Sequence, residues 1–121
     1  MRRIIILAAS LACAAPAFAQ TSPLGAWARG DGNARVRVER CGGAFCAINT
    51  WIKDTSEGEQ VGHKLVMNVN PTGEGTYSGS AFDPQRDRTY GMTMTVRGDS
   101  MTTRGCIVKV LCKSMQWSRI R

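Results

Sequence analysis

Apolar and polar residues alternate with a period of two through ARVRVER at residues 34–40 and again through TYGMTMTV at residues 89–96. A β-strand sends successive side chains to opposite faces, so each segment predicts a strand with one buried face. Six shorter segments, near residues 25–29, 45–53, 64–69, 75–82, 100–106 and 115–120, also read as strands. Turn-forming groups separate many of these segments: Gly30-Asp31-Gly32-Asn33, Gly42-Gly43, Asn70-Pro71-Thr72-Gly73, Asp83-Pro84 and Gly98-Asp99. No stretch has the period of a long helix, and residues 54–62 are polar and glycine-punctuated, as in a loop. About eight short strands on tight, sequential turns predict an all-β domain, a small antiparallel up-and-down β-barrel. Closure removes the exposed edges that an open meander would leave. A two-sheet β-sandwich is the alternative, disfavoured because the connections are short and sequential.

The first nineteen residues stand apart from this pattern. Arg2 and Arg3 precede an uncharged apolar run at 4–14, Pro16 ends it, and Ala17-Phe18-Ala19 puts small residues where a signal peptidase reads them. The segment 1–19 is therefore expected to be a cleaved Sec-type signal peptide, cut between Ala19 and Gln20, with 20–121 as a single β-barrel domain. An uncleaved anchor is disfavoured because the run falls well short of the roughly 20 apolar residues that span a bilayer. Lipoprotein processing at Cys13 would need a leucine-like residue where Ser10 stands. The expected location is the periplasm or outside the cell, with no transmembrane segment after cleavage.

Composition narrows the remainder. The 121 residues carry a formal net charge of +7, and 43% are hydrophobic, which argues against disorder. Nucleic acid is an unfavoured partner: export separates the two, the basic residues are dispersed, and no aromatic RNA-binding platform is present. Arg35 and Arg37 are expected to face outward from one strand, giving weak, salt-sensitive association with anionic lipid or another envelope surface.

Without Cys13, four cysteines remain, in two close pairs, Cys41/Cys46 and Cys106/Cys112. An even count in a short exported chain reads first as disulfides. Three connectivities are open. The local pairs Cys41–Cys46 and Cys106–Cys112 are favoured because Gly42-Gly43 is a turn signal that sets the flanking cysteines opposite each other. Zinc would want Cys-x-x-Cys spacing or histidine partners, and His63 stands alone, so no metal and no cofactor are expected.

Gly25-Ala26-Trp27 begins the first expected strand and Trp117-Ser118-Arg119 lies in the last, its neighbour in a closed barrel. This pairing resembles lipocalin-like proteins, in which a late basic residue stacks over an early tryptophan. The resemblance implies a barrel-closing pair of Trp27 and Arg119, worth about 0.5 to 2 kcal/mol as a cation–π contact. A longer string runs through Gly25-x-Trp27, Cys41-Gly42 to Cys46, Tyr77-x-Gly79, Asp83-Pro84, Tyr90, Arg104-Gly105-Cys106, Leu111-Cys112 and Trp117-x-Arg119. It resembles a family of small secreted bacterial proteins known as a domain of unknown function. The resemblance implies a lipocalin-like barrel and carries no catalytic residues. Asp87 departs from it, standing where glycine is expected after the Asp-Pro turn.

Candidate chemistry is sparse. Asp83 before proline reads as a turn former, its carboxylate bonding nearby backbone N–H groups. His63 has a side chain suited to general-base work, yet no serine sits in a nucleophile-elbow pattern, so no enzyme and no catalytic residue is expected. Met67, Met92, Met94, Met101 and Met115 all fall in or beside expected strands. Flexible, polarizable methionines suit an adaptable apolar pocket, and they equally suit a plugged core. The leading expectation is a carrier or sensor of a small apolar ligand such as a fatty acid, lined by Trp51, Met67, Tyr90, Met92 and Met94. The alternative is an envelope interaction or structural protein with a filled barrel and a basic outer face.

Overall fold

The computed structural model of the protein describes residues 21–108 and 110–121. The expected signal segment 1–19, its cleavage site and Cys13 lie outside the described residues. Within them the chain forms eight strands: β1 (Gly25–Arg29), β2 (Ala34–Cys41), β3 (Ala44–Ile52), β4 (Lys64–Gly73), β5 (Thr76–Asp83), β6 (Arg88–Arg97), β7 (Ser100–Ile107) and β8 (Leu111–Ile120). Each pairs antiparallel with its sequence neighbour, and β8 returns to β1 through Ala26 opposite Ile120 and Arg29 opposite Trp117. The sheet is thus a closed barrel with no free edge, which is the arrangement that the short sequential turns predict.

The alternation in β2 places Ala34, Val36 and Val38 inside and leaves Arg35 and Arg37 exposed. In β6 the same rule buries Met92, Met94 and Val96. Two boundaries differ from expectation. The segment Asn70–Gly73, expected as a turn, continues β4 with an irregularity at Thr72, and the turn falls at Glu74-Gly75. Gly75 takes φ +76°, and a Cβ there would lie 2.5 Å from the Val96 carbonyl oxygen, so glycine is needed at this position. β8 begins at Leu111 rather than 115, because Cys112 pairs directly with Cys106 across the β7–β8 hairpin and extends the ladder toward its tip.

A bulge bends the ladder between β2 and β3. Arg35 faces Trp51 and Val36 faces Asn49, so Thr50 is the extra residue, and its hydroxyl donates to the Arg35 carbonyl at 3.1 Å. An inserted residue reverses the side-chain phase beyond it.

Because the barrel is a meander, its connections alternate between two ends. One end carries Gly42-Gly43, Glu74-Gly75, Gly98-Asp99 and the segment preceding β1. That segment closes the end: Pro23 is fully buried, its carbonyl accepts from Trp27 Nε1 at 2.8 Å, and the Thr21 carbonyl accepts from the Tyr77 hydroxyl at 2.9 Å. Above it lies a floor that includes Trp27, Met94 and Val96, each at most 1% exposed. Disulfides sit at both ends. Cys41–Cys46 ties the β2–β3 hairpin, and Cys106–Cys112 ties β7 to β8 at the opposite end.

Candidate functional site

Above the floor the barrel is not filled. A cavity of about 620 Å³ opens at the end carrying the β1–β2, β3–β4, β5–β6 and β7–β8 connections. Its walls are mostly apolar. β2 contributes Val36 and Val38, β3 Ala47, β4 Leu65 and Met67, β6 Tyr90 and Met92. Met101 of β7 and Met115 and Trp117 of β8 complete them. Trp117 donates its Nε1–H to the Thr103 hydroxyl at 3.0 Å, which satisfies the indole while its ring faces the space. Small residues in the walls make the room. A Cβ on Gly105 would meet the Tyr90 ring at 2.7 Å, so Tyr90 lies flat where a side chain would otherwise project.

The mouth is polar. Arg29 at the end of β1 donates to Glu59 through Nη1 at 2.5 Å and Nη2 at 2.7 Å, and through Nε to Asp31 at 3.0 Å. This bidentate pair ties the β3–β4 loop to the barrel rim, and Asn33 adds a bond to Glu59 at 3.0 Å. The Arg29 hydrogen bonds hold the Glu59 carboxyl below the usual glutamate range against the opposing effect of burial. Across the mouth, Asp83 accepts from Gln85 Nε2 at 2.7 Å and from Arg86 Nη1 at 2.8 Å. Burial pushes the Asp83 carboxyl up, and the bonds from Arg86 and Gln85 outweigh it, leaving the carboxyl below its ordinary value. Burial also raises the Tyr90 phenol, with Asp83 adding to the effect. Lys64, Arg88 and Lys113 line the same mouth and form no salt bridge among the described residues. The cavity therefore joins apolar walls to a charged rim that carries Lys64, Arg88 and Lys113.

Of the five expected lining residues, Met67, Tyr90 and Met92 face the cavity together. Trp51 does not. The Thr50 bulge turns it to the outer face, where it is 39% exposed and the Arg35 guanidinium lies 4.8 Å from its ring centroid. Met94 shares the inward phase of Met92 but sits one layer lower, sealed in the floor. Sequence reading missed the rim: Arg29 and Glu59 are thirty residues apart, and no spacing signals their pairing. His63 lies at the mouth, and among the described residues no group of three or more His, Cys, Asp or Glu side chains is placed to hold a metal ion.

At the closed end Arg119 stacks over Trp27, its guanidinium carbon 4.3 Å from the ring centroid. Asp87 takes φ +51°, the left-handed conformation that explains why glycine is expected there.

No curated protein and no solved structure matches the chain. A family model described as an uncharacterized protein conserved in bacteria (DUF2147) matches residues 25–119, which span the barrel from β1 into β8. The chain belongs to that family.

Proposed function

We propose that the protein is an exported carrier or sensor that takes a small apolar ligand, such as a fatty acid, into the barrel. The observation that carries this reading is the cavity of about 620 Å³, open at one end and walled by methionine, leucine, valine and aromatic side chains. Ligand pockets typically measure about 300–1,000 Å³ and combine apolar walls with a few polar groups. A carboxylate head would find Lys64, Arg88 and Lys113 at the rim, while the chain lies against Met67, Met92, Met101 and Met115. Two disulfides and the signal-like segment at 1–19 support export to an oxidising compartment.

The test is native mass spectrometry of the protein purified without detergent, together with titration of a fluorescent fatty acid. A stoichiometric apolar adduct and saturable probe binding are expected. Ala47→Phe, which fills the cavity from β3, should abolish both while the chain stays folded. Absence of adduct and of probe binding in the unsubstituted protein would sink the proposal.

A second reading draws on the outer face, where Arg35, Arg37 and Trp51 form an exposed cationic and aromatic patch. Under it the protein meets an anionic envelope surface, and reversing both arginines to glutamate should lower envelope association.

A further inference from the structure

At the mouth, the β1–β2, β3–β4 and β5–β6 connections are built mainly from polar residues and turn formers: Gly30-Asp31-Gly32-Asn33, the 53–63 loop, and Pro84-Gln85-Arg86-Asp87. The β7–β8 hairpin is different. Its tip reads Ile107-Val108-Lys109-Val110-Leu111, with no glycine, asparagine, proline or acid. Ile107, Val108, Val110 and Leu111 are 45%, 65%, 82% and 65% exposed, four large aliphatic side chains in one short stretch. Val108 takes φ +50°, a left-handed conformation that a β-branched side chain adopts only at a cost. Elsewhere among the described residues positive φ falls to glycines, Gly32, Gly42, Gly75 and Gly98 at hairpin turns among them, or to Asp87. The tip thus keeps apolar side chains where local turn energetics favour glycine or asparagine, and it keeps them in water. The Cys106–Cys112 disulfide ties the two strands together at the base of this hairpin.

We infer that this hairpin tip is a wedge that inserts into the surface of a lipid bilayer and sets the cavity mouth against it. Three observations favour lipid over a protein partner or a second copy. Apart from Lys109 the tip sequence is aliphatic, without the aromatic and arginine anchors that dominate protein interfaces. Its exposed apolar area amounts to roughly a few hundred Å², short of the roughly 800 Å² per partner that a stable protein interface buries. Its base, Ile107 and Leu111, also lines the cavity mouth beside Arg88 and Lys113, so insertion brings the mouth to the headgroup layer and the two cations to its phosphates. Val61, 62% exposed on the β3–β4 loop, stands at the same end of the barrel, across the mouth from this hairpin. The docking role is independent of what the barrel holds, and its test requires no ligand.

The experiment is co-sedimentation of the whole protein with vesicles of phosphatidylethanolamine and phosphatidylglycerol, beside the double variant Val108→Asn, Val110→Asn. Asparagine suits the left-handed turn position, so the variant should melt at the same temperature or higher. Its partitioning onto vesicles should fall about tenfold or more, the loss expected for withdrawing one or two valines from an apolar phase. Val110→Leu should retain binding, and binding should persist at high salt because the apolar contact dominates. The inference fails if the unsubstituted protein ignores the vesicles, if the asparagine variant binds as well, or if binding vanishes at high salt. It fails also if ultracentrifugation shows a tip-dependent dimer that vesicles do not dissociate. Should the double variant melt lower, the comparison of Val110→Asn with Val110→Leu decides in its place.

Discussion

Arg119 of β8 stacks over the Trp27 ring of β1 and donates at the same time to the carbonyls of Ser22, Leu24 and Gly98, at 3.1, 2.9 and 3.1 Å. One side chain therefore seals the seam of the barrel, holds the segment preceding β1 and reaches the β6–β7 turn. Only a planar guanidinium can serve a ring face and several carbonyls together. Arg119→Ala should lower unfolding free energy by about 2–3 kcal/mol, combining the lost cation–π contact with orphaned carbonyls. Arg119→Lys should recover less than half of that, as measured by urea denaturation.

The latch between Arg29 and Glu59 should respond to acid. The Glu59 carboxyl is held below its ordinary value mainly by the Arg29 hydrogen bonds, so its contribution is fully present above the unfolded glutamate pKa. It is lost as pH falls through the lowered folded value. Melting temperature measured against pH for the unsubstituted protein and for Glu59→Gln should therefore differ at neutral pH and converge in acid. A gap that stays constant down to the lowest pH would show that the carboxylate is not the source.

Two strand glycines should behave differently when changed to alanine. At Gly79 a Cβ would meet the Asn68 carbonyl oxygen at 2.1 Å, a backbone atom that cannot step aside, and a loss of about 2 kcal/mol or more is expected. At Gly105 the obstacle is the Tyr90 ring, which can swing. Gly105→Ala should cost less stability and instead alter the cavity, read as a changed affinity for the fluorescent fatty acid.

Replacing Cys106 and Cys112 together by serine should cost about 2 kcal/mol in the loop-closure account, because the ring closed is short. The barrel should still form, since the β7–β8 ladder runs from Ser100 opposite Ser118 to Ile107 opposite Leu111 without the bridge. Near-native far-ultraviolet circular dichroism with a lowered urea midpoint is the expected outcome.

Eight strands and their closure are legible in the sequence because period-two alternation and turn residues are local signals. ARVRVER in β2 shows this well, with its valines in and its arginines out. Alternation tells which face a residue takes, and nothing about height along the barrel axis. Met92 and Met94 have the same phase, yet one lines the cavity and the other lies in the floor. Alternation counted from Ala47 likewise points Trp51 inward. Counting by twos runs straight through Thr50, and nothing in AINTWI marks the extra residue that turns the tryptophan out. The rim is hidden further, because Arg29 meets Glu59 only after β1 and the 53–63 loop converge at one end.

The return of β8 to β1 has a consequence for how the chain may be cut. Ala26 pairs with Ile120, so the start of β1 and the end of β8 lie together at the closed end, far from the mouth. In connectivity the barrel is a ring of eight antiparallel pairings, seven of them bridged by a connection and one left open as a seam. A short linker from residue 121 to residue 21 would join that seam, and new termini placed at Gly42-Gly43 or Gly98-Asp99 would leave every strand pairing and the mouth intact. Order of synthesis is thus separable from architecture in this protein, and a permuted chain should build the same vessel from a different starting strand.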